Sequence, residues 1–278
     1  MEPMIKETIR RLTGGQEEIE RQIDMLIQKH LGKVHFIPLK YRVLGGFIQS
    51  LNIKFGEFVE LLLDEIIASE PNFTVVEGMS RATLTLELEE NCERFIDEYV
   101  NNPPRGRDEI LNSIDNRIND LYSKIFLLQN SSTSKFHEKQ LDVNVLFKFD
   151  GTYYYVETKY NDDHDTGKFQ DINRKFLKTY AGLVKHFKCT NPDQIKPILY
   201  YFNQSIRYNP NPYLRENIEI MRGPTFFTHF KTHTKYGEIQ HILNTLGDTL
   251  EEEFDGYASM VTKKIHQLKV NQLLRLKE

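Results

Sequence analysis

The stretch LDVNVLFKFDGTYYYVETKY, Leu141 to Tyr160, constrains the fold more than any other part of the chain. Two alternating runs flank Asp150-Gly151, a dipeptide suited to a two-residue hairpin turn in which both central residues take positive φ. If Phe149 pairs with Thr152, Asn144 faces Glu157 and Asp142 faces Lys159. Side chains alternate along a strand. Leu141, Val143, Val145, Phe147 and Phe149 then share an expected core face with Thr152, Tyr154, Val156, Thr158 and Tyr160. The opposite face carries Asp142, Asn144, Glu157 and Lys159.

Opposed residues on paired strands have Cβ atoms about 5 Å apart, and diagonal ones about 7–8 Å, so the Asp142 and Glu157 carboxylates can converge on one cation. Mg²⁺ prefers oxygen ligands and is commonly held by one or two carboxylates plus substrate phosphate. A neighbouring ammonium can orient the attacking water or stabilise developing negative charge. Asp142 and Glu157 are therefore the candidate catalytic metal ligands, with Lys159 beside them. The competing explanation is an amphipathic hairpin whose charges face solvent. Glu157-Thr158-Lys159 is the single [DE]-x-K triplet in the sequence, and its position on the hairpin favours the metal site.

This pattern resembles the PD-(D/E)XK nuclease core, in which an acidic residue opens one strand and a [DE]-x-K triplet lies on the next. Leu141 stands where that motif has proline. Tyr41 to Glu60, Lys159 to Leu183 and Arg207 to Tyr213 are similar to Type II restriction endonucleases that cut short interrupted palindromes, the HinfI and TdeIII kind. The resemblance implies a Mg²⁺-dependent, sequence-specific endonuclease acting on double-stranded DNA and leaving 5′-phosphate ends. It also implies a homodimer, because a two-fold protein matches a palindrome. A glutamate from a helix before the hairpin supports the metal in related nucleases, and Glu60, with Glu57 behind it, is the candidate here. Two alternatives stay open: a structure-specific repair or recombination nuclease, and a noncatalytic DNA-binding protein on a nuclease-like fold.

The formal net charge of −4 does not exclude DNA, because a cleft needs only one cationic surface. From Lys168 to Lys188 six Lys or Arg stand against one Asp, so Lys168, Arg174, Lys175 and Lys178 are candidate phosphate contacts. Arg207, Asn209, Asn211 and Arg215 lie in an irregular, Pro-punctuated segment, and Arg and Asn suit contacts to guanine and adenine edges. His229, Lys231, His233 and Lys235 would share one face of a strand. Their histidines lack the further ligands of a zinc site, which leaves phosphate as the expected partner. His164 and Asp165 lie in the polar loop after Lys159, where solvation is the simpler reading.

With 278 residues and 39% hydrophobic content, the chain can bury a substantial core. No basic segment followed by an apolar run opens it, and no stretch approaches 18 apolar residues, so a cytoplasmic protein is expected. Cys92 and Cys189 have no metal-ligand spacing. Helices are expected over Gln16–His30, Phe47–Ser69, Glu89–Val100, Asp108–Asn130, Phe169–Phe187 and Tyr236–Leu276. Strand-like runs lie within Asn72–Leu88 and at Ile195–Phe202, and Ser131–Ser134 is a loop. This order predicts an α/β fold: a mixed central β-sheet flanked by helices, with helical N- and C-terminal parts. One domain is expected over 1–278, with a mainly helical part (1–135), a catalytic α/β core (136–205), and a DNA-recognition segment with C-terminal helices (206–278).

Overall fold

A computed structural model describes residues 2–131, 135–163 and 165–275. Ser132, Thr133, Ser134 and His164 lie outside the described residues, so the expectations for that loop and for His164 have no structural counterpart. The chain divides into two compact units, Met1–Phe58 with Tyr236–Glu278, and Val59–Lys235.

The first unit is helical. It holds α1 (Glu2–Thr13), α2 (Gly15–His30), the first part of α3 (Leu39–Ser69) and α8 (Tyr236–Arg275). Ile19, Ile23 and Ile27 recur at spacings of four along α2 and meet Val43, Phe47, Val261 and Ile265 in a small core. That spacing stacks them on one helix face.

The second unit is built on a five-stranded sheet, and it bears out the α/β expectation. After the remainder of α3 come β1 (Phe73–Val75), β2 (Ala82–Glu89), α4 (Glu90–Asn101), α5 (Arg107–Gln129), β3 (Phe136–Val143), β4 (Val145–Phe149) and β5 (Thr152–Lys159). They are followed by α6 (Thr166–His186), β6 (Ile195–Tyr201), β7 (Ile220–Arg222) and α7 (Pro224–Phe230). The sheet order is β1-β4-β5-β6-β7, antiparallel through β5 and parallel from β5 to β7, while β2 and β3 form a separate antiparallel pair. Helix α6 makes the crossover that parallel β5 and β6 require.

The hairpin register is as the turn predicts. Phe149 pairs with Thr152, and Asp150 and Gly151 have φ of 45° and 78°. Two expectations about the hairpin fail. First, the ladder stops at Val145–Val156, and residues before Asn144 pair with β2, so Asp142 stands opposite Thr83 and not Lys159. Asn144 accounts for the break: its Oδ1 accepts the Thr158 N–H at 3.1 Å and its carbonyl accepts the Arg81 N–H at 2.9 Å. Second, the sheet has two covered faces. Tyr155 stacks on Phe176 of α6 at 5.6 Å between centroids. On the other side Phe147 and Tyr154 meet Phe230 of α7, at 5.4 and 4.9 Å. A sheet with a parallel half and helical cover is buried on both sides, so alternation does not separate core from solvent there.

Helix α6 is also a core helix, with Phe176, Leu177, Tyr180, Ala181, Leu183 and Val184 buried. Charged groups fasten it along its length. Glu93 of α4 receives Lys178 of α6 at 2.7 Å, His137 of β3 at 2.7 Å, and Lys139 of β3. Asp97 receives Lys178 at 2.9 Å and Arg174 at 3.1 Å. Burial works against the Glu93 charge, but hydrogen bonds from Lys139 and Lys178 overcome it and hold the carboxyl at about 2, against an ordinary 4.5. Cys92 and Cys189 are buried free thiols.

Two predictions follow from this packing. A Cβ on Gly182 of α6 would lie 2.8 Å from Cβ of Leu86 and 2.9 Å from its Cδ1. Gly182→Ala gains about 1 kcal/mol of helix propensity but overpacks the core, at about 1–3 kcal/mol. A net loss, read as a lower urea midpoint, is expected; a gain would show that the helix can shift. Because the folded Glu93 pKa lies below the unfolded one, its contribution is present above pH 4.5 and is lost as pH falls towards about 2. Wild type should exceed Glu93→Gln by up to about 3 kcal/mol near neutrality, with the gap closing at acid pH. A gap independent of pH would refute this account.

Candidate active site

The C-terminal end of β5, away from the hairpin turn, brings Glu157 and Lys159 to the α6 side of the sheet. They share the face of Tyr155, two residues apart, as strand geometry requires. Glu157 is 1% exposed. Its Oε1 is 2.8 Å from Lys159 Nζ, and its Oε2 accepts the Tyr155 hydroxyl at 2.9 Å. Lys159 also lies 3.6 Å from Glu60 of α3. Burial opposes the Lys159 charge, but attraction from Glu157 and then Glu60 outweighs it, and the ammonium pKa is raised. Burial raises the Glu60 carboxyl most; Lys159 offsets part of this and the Glu157 charge adds to it.

Asp142 reaches the site from the other sheet. It accepts from Thr83 Oγ1 at 2.6 Å and from Lys175 Nζ of α6 at 2.9 Å. These two bonds, Thr83 first, lower its pKa despite some burial. Glu60, Arg81, Thr83, Asp142, Lys159 and Lys175 line one recess of about 330 Å³. A further link fixes α3 beside it: Ser80 Oγ donates to Asp64 Oδ1 at 2.7 Å and accepts the Leu146 N–H at 3.1 Å. Glu57 is exposed.

Among the described residues no three His, Cys, Asp or Glu side chains are gathered at metal-holding distance. The donor chemistry nonetheless fits a hard divalent cation. Asp142 and Glu60 line the recess and Glu157 lies beside it, so carboxylate oxygens, the ligand type such a cation takes, are the donors at hand. Lysine ammoniums hold the counter-charge positions in this structure.

Sequence reasoning missed Tyr155, Thr83 and Arg81. Tyr155 carried a signal, since residues i and i+2 share a strand face; Thr83 and Arg81 carried none, because β2 reaches the site only through tertiary pairing.

The candidate DNA contacts separate into three sets. Lys168, Arg207, Asn209, His229, Lys231, His233 and Lys235 are exposed. Arg207 pairs with Asp163 at 2.7 Å, and the Asn209 carbonyl accepts from Arg107 at 3.5 Å. Lys175 is half-buried on Asp142, and Arg174 is half-buried between Asp97, Asp171 and Asn101. Others are committed to internal partners. Lys178 is buried on Glu93 and Asp97, and Arg215 forks onto Glu219 and reaches Asp115 at 3.3 Å. Asn211 is 2% exposed, and its Oδ1 accepts the N–H groups of Tyr213 at 2.8 Å and Leu214 at 3.2 Å. Asparagine caps a turn here, which takes it away from any base edge.

His229–Lys235 is not a strand, so the alternate spacing does not put the four side chains on one face. His229 lies in the last turn of α7, Lys231 has left-handed backbone with φ of 52°, and His233 Nδ1 binds Glu70 at 2.8 Å. Burial, with Lys196 nearby, lowers the His229 pKa. Asp165 caps α6 by accepting the Lys168 N–H at 2.9 Å. Among the described residues no helix is long and apolar enough to cross a membrane.

Comparison with known proteins bears on these features directly. The family model described as "Type II restriction endonuclease, HinfI" matches residues 1–247. The Type II restriction enzyme HinfI of Haemophilus influenzae is 37% identical over 233 residues, which cover 83% of this chain and 85% of that enzyme. No solved structure matches. With most of both sequences aligned and the family model spanning both sheets, the chain belongs to the HinfI family of Type II restriction endonucleases, which are site-specific deoxyribonucleases.

Proposed function

We propose that this restriction endonuclease hydrolyses the phosphodiester bond with Asp142, Glu157 and Lys159, requires Mg²⁺, leaves 5′-phosphate ends, and acts as a cytoplasmic homodimer in which both units of the chain serve one endonuclease. One observation carries the site assignment: a nearly fully buried carboxylate, Glu157, holds the Lys159 ammonium 2.8 Å away, beside the recess lined by Asp142 and Glu60. Surface salt bridges need no such burial. Restriction endonucleases generally depend on a divalent metal, and the three carboxylates are the groups that would hold it.

Bound there, Mg²⁺ would supply Lewis-acid polarisation of the phosphate and a more acidic water. The chain's own residues do the rest. Glu157 keeps Lys159 charged, and Lys159 can then donate to the attacking water or to a phosphate oxygen. Tyr155 fixes the second oxygen of Glu157 by donating to it. Lys175 sits where a scissile-strand phosphate can exchange with Asp142 as its partner.

A plasmid of known sequence, incubated with Mg²⁺ and separately with Ca²⁺, tests the activity. Discrete fragments with Mg²⁺ alone, rejoined by DNA ligase without prior phosphorylation, are expected. A smear would indicate cleavage without sequence choice, and fragments that need phosphorylation before joining would refute the 5′-phosphate assignment.

Asp142→Ala and Glu157→Gln should abolish cleavage while retaining cognate binding in Ca²⁺. Lys159→Ala should lower turnover at least about a hundredfold, the scale for losing one electrostatic stabiliser. Near wild-type cleavage by any folded variant of the three would remove that residue from the site.

Lys175→Ala breaks a half-exposed pair, so stability should change by under about 1 kcal/mol. Binding to cognate and scrambled duplexes should weaken alike, with the salt slope reduced by about one. Arg207→Ala should instead reduce cognate preference, by about 1–3 kcal/mol for a good bidentate base contact. The reverse pattern in the two variants would overturn this division of labour.

A further inference from the structure

The helical unit contains a second cationic feature, outside the recess around Asp142. Where α2 ends and α3 begins, a recess of about 370 Å³ is lined by Lys29, His30, Lys33, His35 and Arg42, with Leu26, Gly46 and Gln49 completing the wall. No carboxylate lines it. In a chain of net charge −4, five basic side chains around one cavity without an acid are a marked local excess. Among the described residues neither Lys29 nor Lys33 takes part in an ion pair, in contrast to Lys178, Arg174 and Arg215 of the other unit.

The recess is held open by its own backbone. Arg42 Nη1 donates to the carbonyls of His30 at 3.2 Å and Lys33 at 3.4 Å, tying α3 to the loop after α2. Its Nε is buried with no protein partner, a donor left for a ligand. His35 Nδ1 accepts the Ile37 N–H at 2.9 Å, and its ring stacks on Phe36 with centroids 5.0 Å apart. Burial and then the charges of Lys33, Arg42, Lys29 and His35 hold His30 below the usual imidazole range. The loop also presents Val34 and Phe36 almost fully to solvent, at 103% and 92%. Apolar side chains beside cations are the combination that meets sugars and base edges in a groove while phosphates are neutralised alongside.

We propose that this recess is a second DNA-backbone binding site, in which Lys29, Lys33 and Arg42 neutralise phosphates of the duplex away from the scissile bond. The proposal rests on the reading of the chain as a DNA endonuclease and adds a contact surface in the helical unit. Arg42 is a forked donor and already half-committed to carbonyls, so it orients a phosphate; the two lysines supply mobile charge.

The test uses the full-length chain with Lys29→Ala, Lys33→Ala and the double variant. Arg42 is left intact because it also holds the loop. Binding to a cognate and a scrambled duplex is measured in Ca²⁺ across a salt series, and cleavage in Mg²⁺ at saturating DNA. Each phosphate contact contributes about 0.9 to the salt slope, so near 0.1 M salt each lost lysine contact should weaken binding on the order of tenfold. The double variant should therefore lose roughly a hundredfold on both duplexes, with the slope lower by about two and turnover at saturation unchanged. Wild-type affinity and slope in the double variant would overturn the proposal. Weakened binding of inorganic phosphate without any change in DNA binding would overturn it too, since the recess would then be a free-anion site. Wild-type protein that neither binds nor cuts DNA would instead sink the endonuclease reading, independently of these variants.

Discussion

The Glu157–Lys159 pair sets the conditions that the rest of the second unit has to satisfy. A carboxylate taken out of water costs several kcal/mol unless its oxygens are matched. Both are matched here, Oε1 by the Lys159 ammonium and Oε2 by the Tyr155 hydroxyl. Glu157 cannot relax towards solvent, because β5 lies inside the sheet with β4 on one side and β6 on the other, and Glu157 itself pairs with Leu199. The crossover helix α6 closes the face above it, with Phe176 on Tyr155. A carboxylate so confined depends on the two partners beside it. Lys159 therefore matches a buried acid as well as being a candidate for chemistry.

Asp142 meets opposite constraints, and Asn144 is the reason. At the point where the β4–β5 ladder ends, its side-chain oxygen accepts the Thr158 N–H that a continued strand would have satisfied. Its carbonyl satisfies Arg81 on the β2 side. Buried backbone groups need partners, and one asparagine provides for two strands at the point of departure. The chain can then leave the large sheet for the small one, carrying Asp142 to an exposed position on β3. The result is an asymmetric pair of carboxylates beside one recess: a buried one paired internally, and an exposed one held by Thr83 and Lys175.

Local features of this arrangement were legible in the sequence because they depend on neighbouring residues. Asp150-Gly151 set the hairpin register, the [DE]-x-K triplet placed Glu157 and Lys159 on one face, and helical periodicity located α2, α4, α5 and α8 to within a few residues. Glu60 was named through the nuclease resemblance, and it lies 3.6 Å from Lys159. The features that stayed hidden depend on partners far along the chain. The switch at Asn144 requires β2, sixty residues upstream in round terms, to claim β3. The second covered face requires the phenylalanines of α7, whose short turn after Pro224 has too few residues to show a period. Asn211 read as a base contact because the same amide that suits adenine also suits a turn, and sequence alone does not say which N–H groups lie near.

Charge shows the same limit. Counting lysines along α6 suggested a phosphate-binding face, yet Lys178 is spent on Glu93 and Asp97, and these pairs hold α6 to α4 and β3. Arg222, which no count singled out, is buried between Asp162 at 3.0 Å and Glu216 at 2.9 Å, where it anchors the loop after β5. A protein of net negative charge meets DNA with the cations its fold leaves unmatched, so the useful quantity is the set of basic side chains without an internal acid. In the second unit Arg174, Lys175, Lys178, Arg215 and Arg222 are each matched to an acid. Around the recess between α2 and α3 the unmatched set comprises every basic side chain in the lining. Surplus charge, not total charge, locates the surfaces on which counterion release can drive binding.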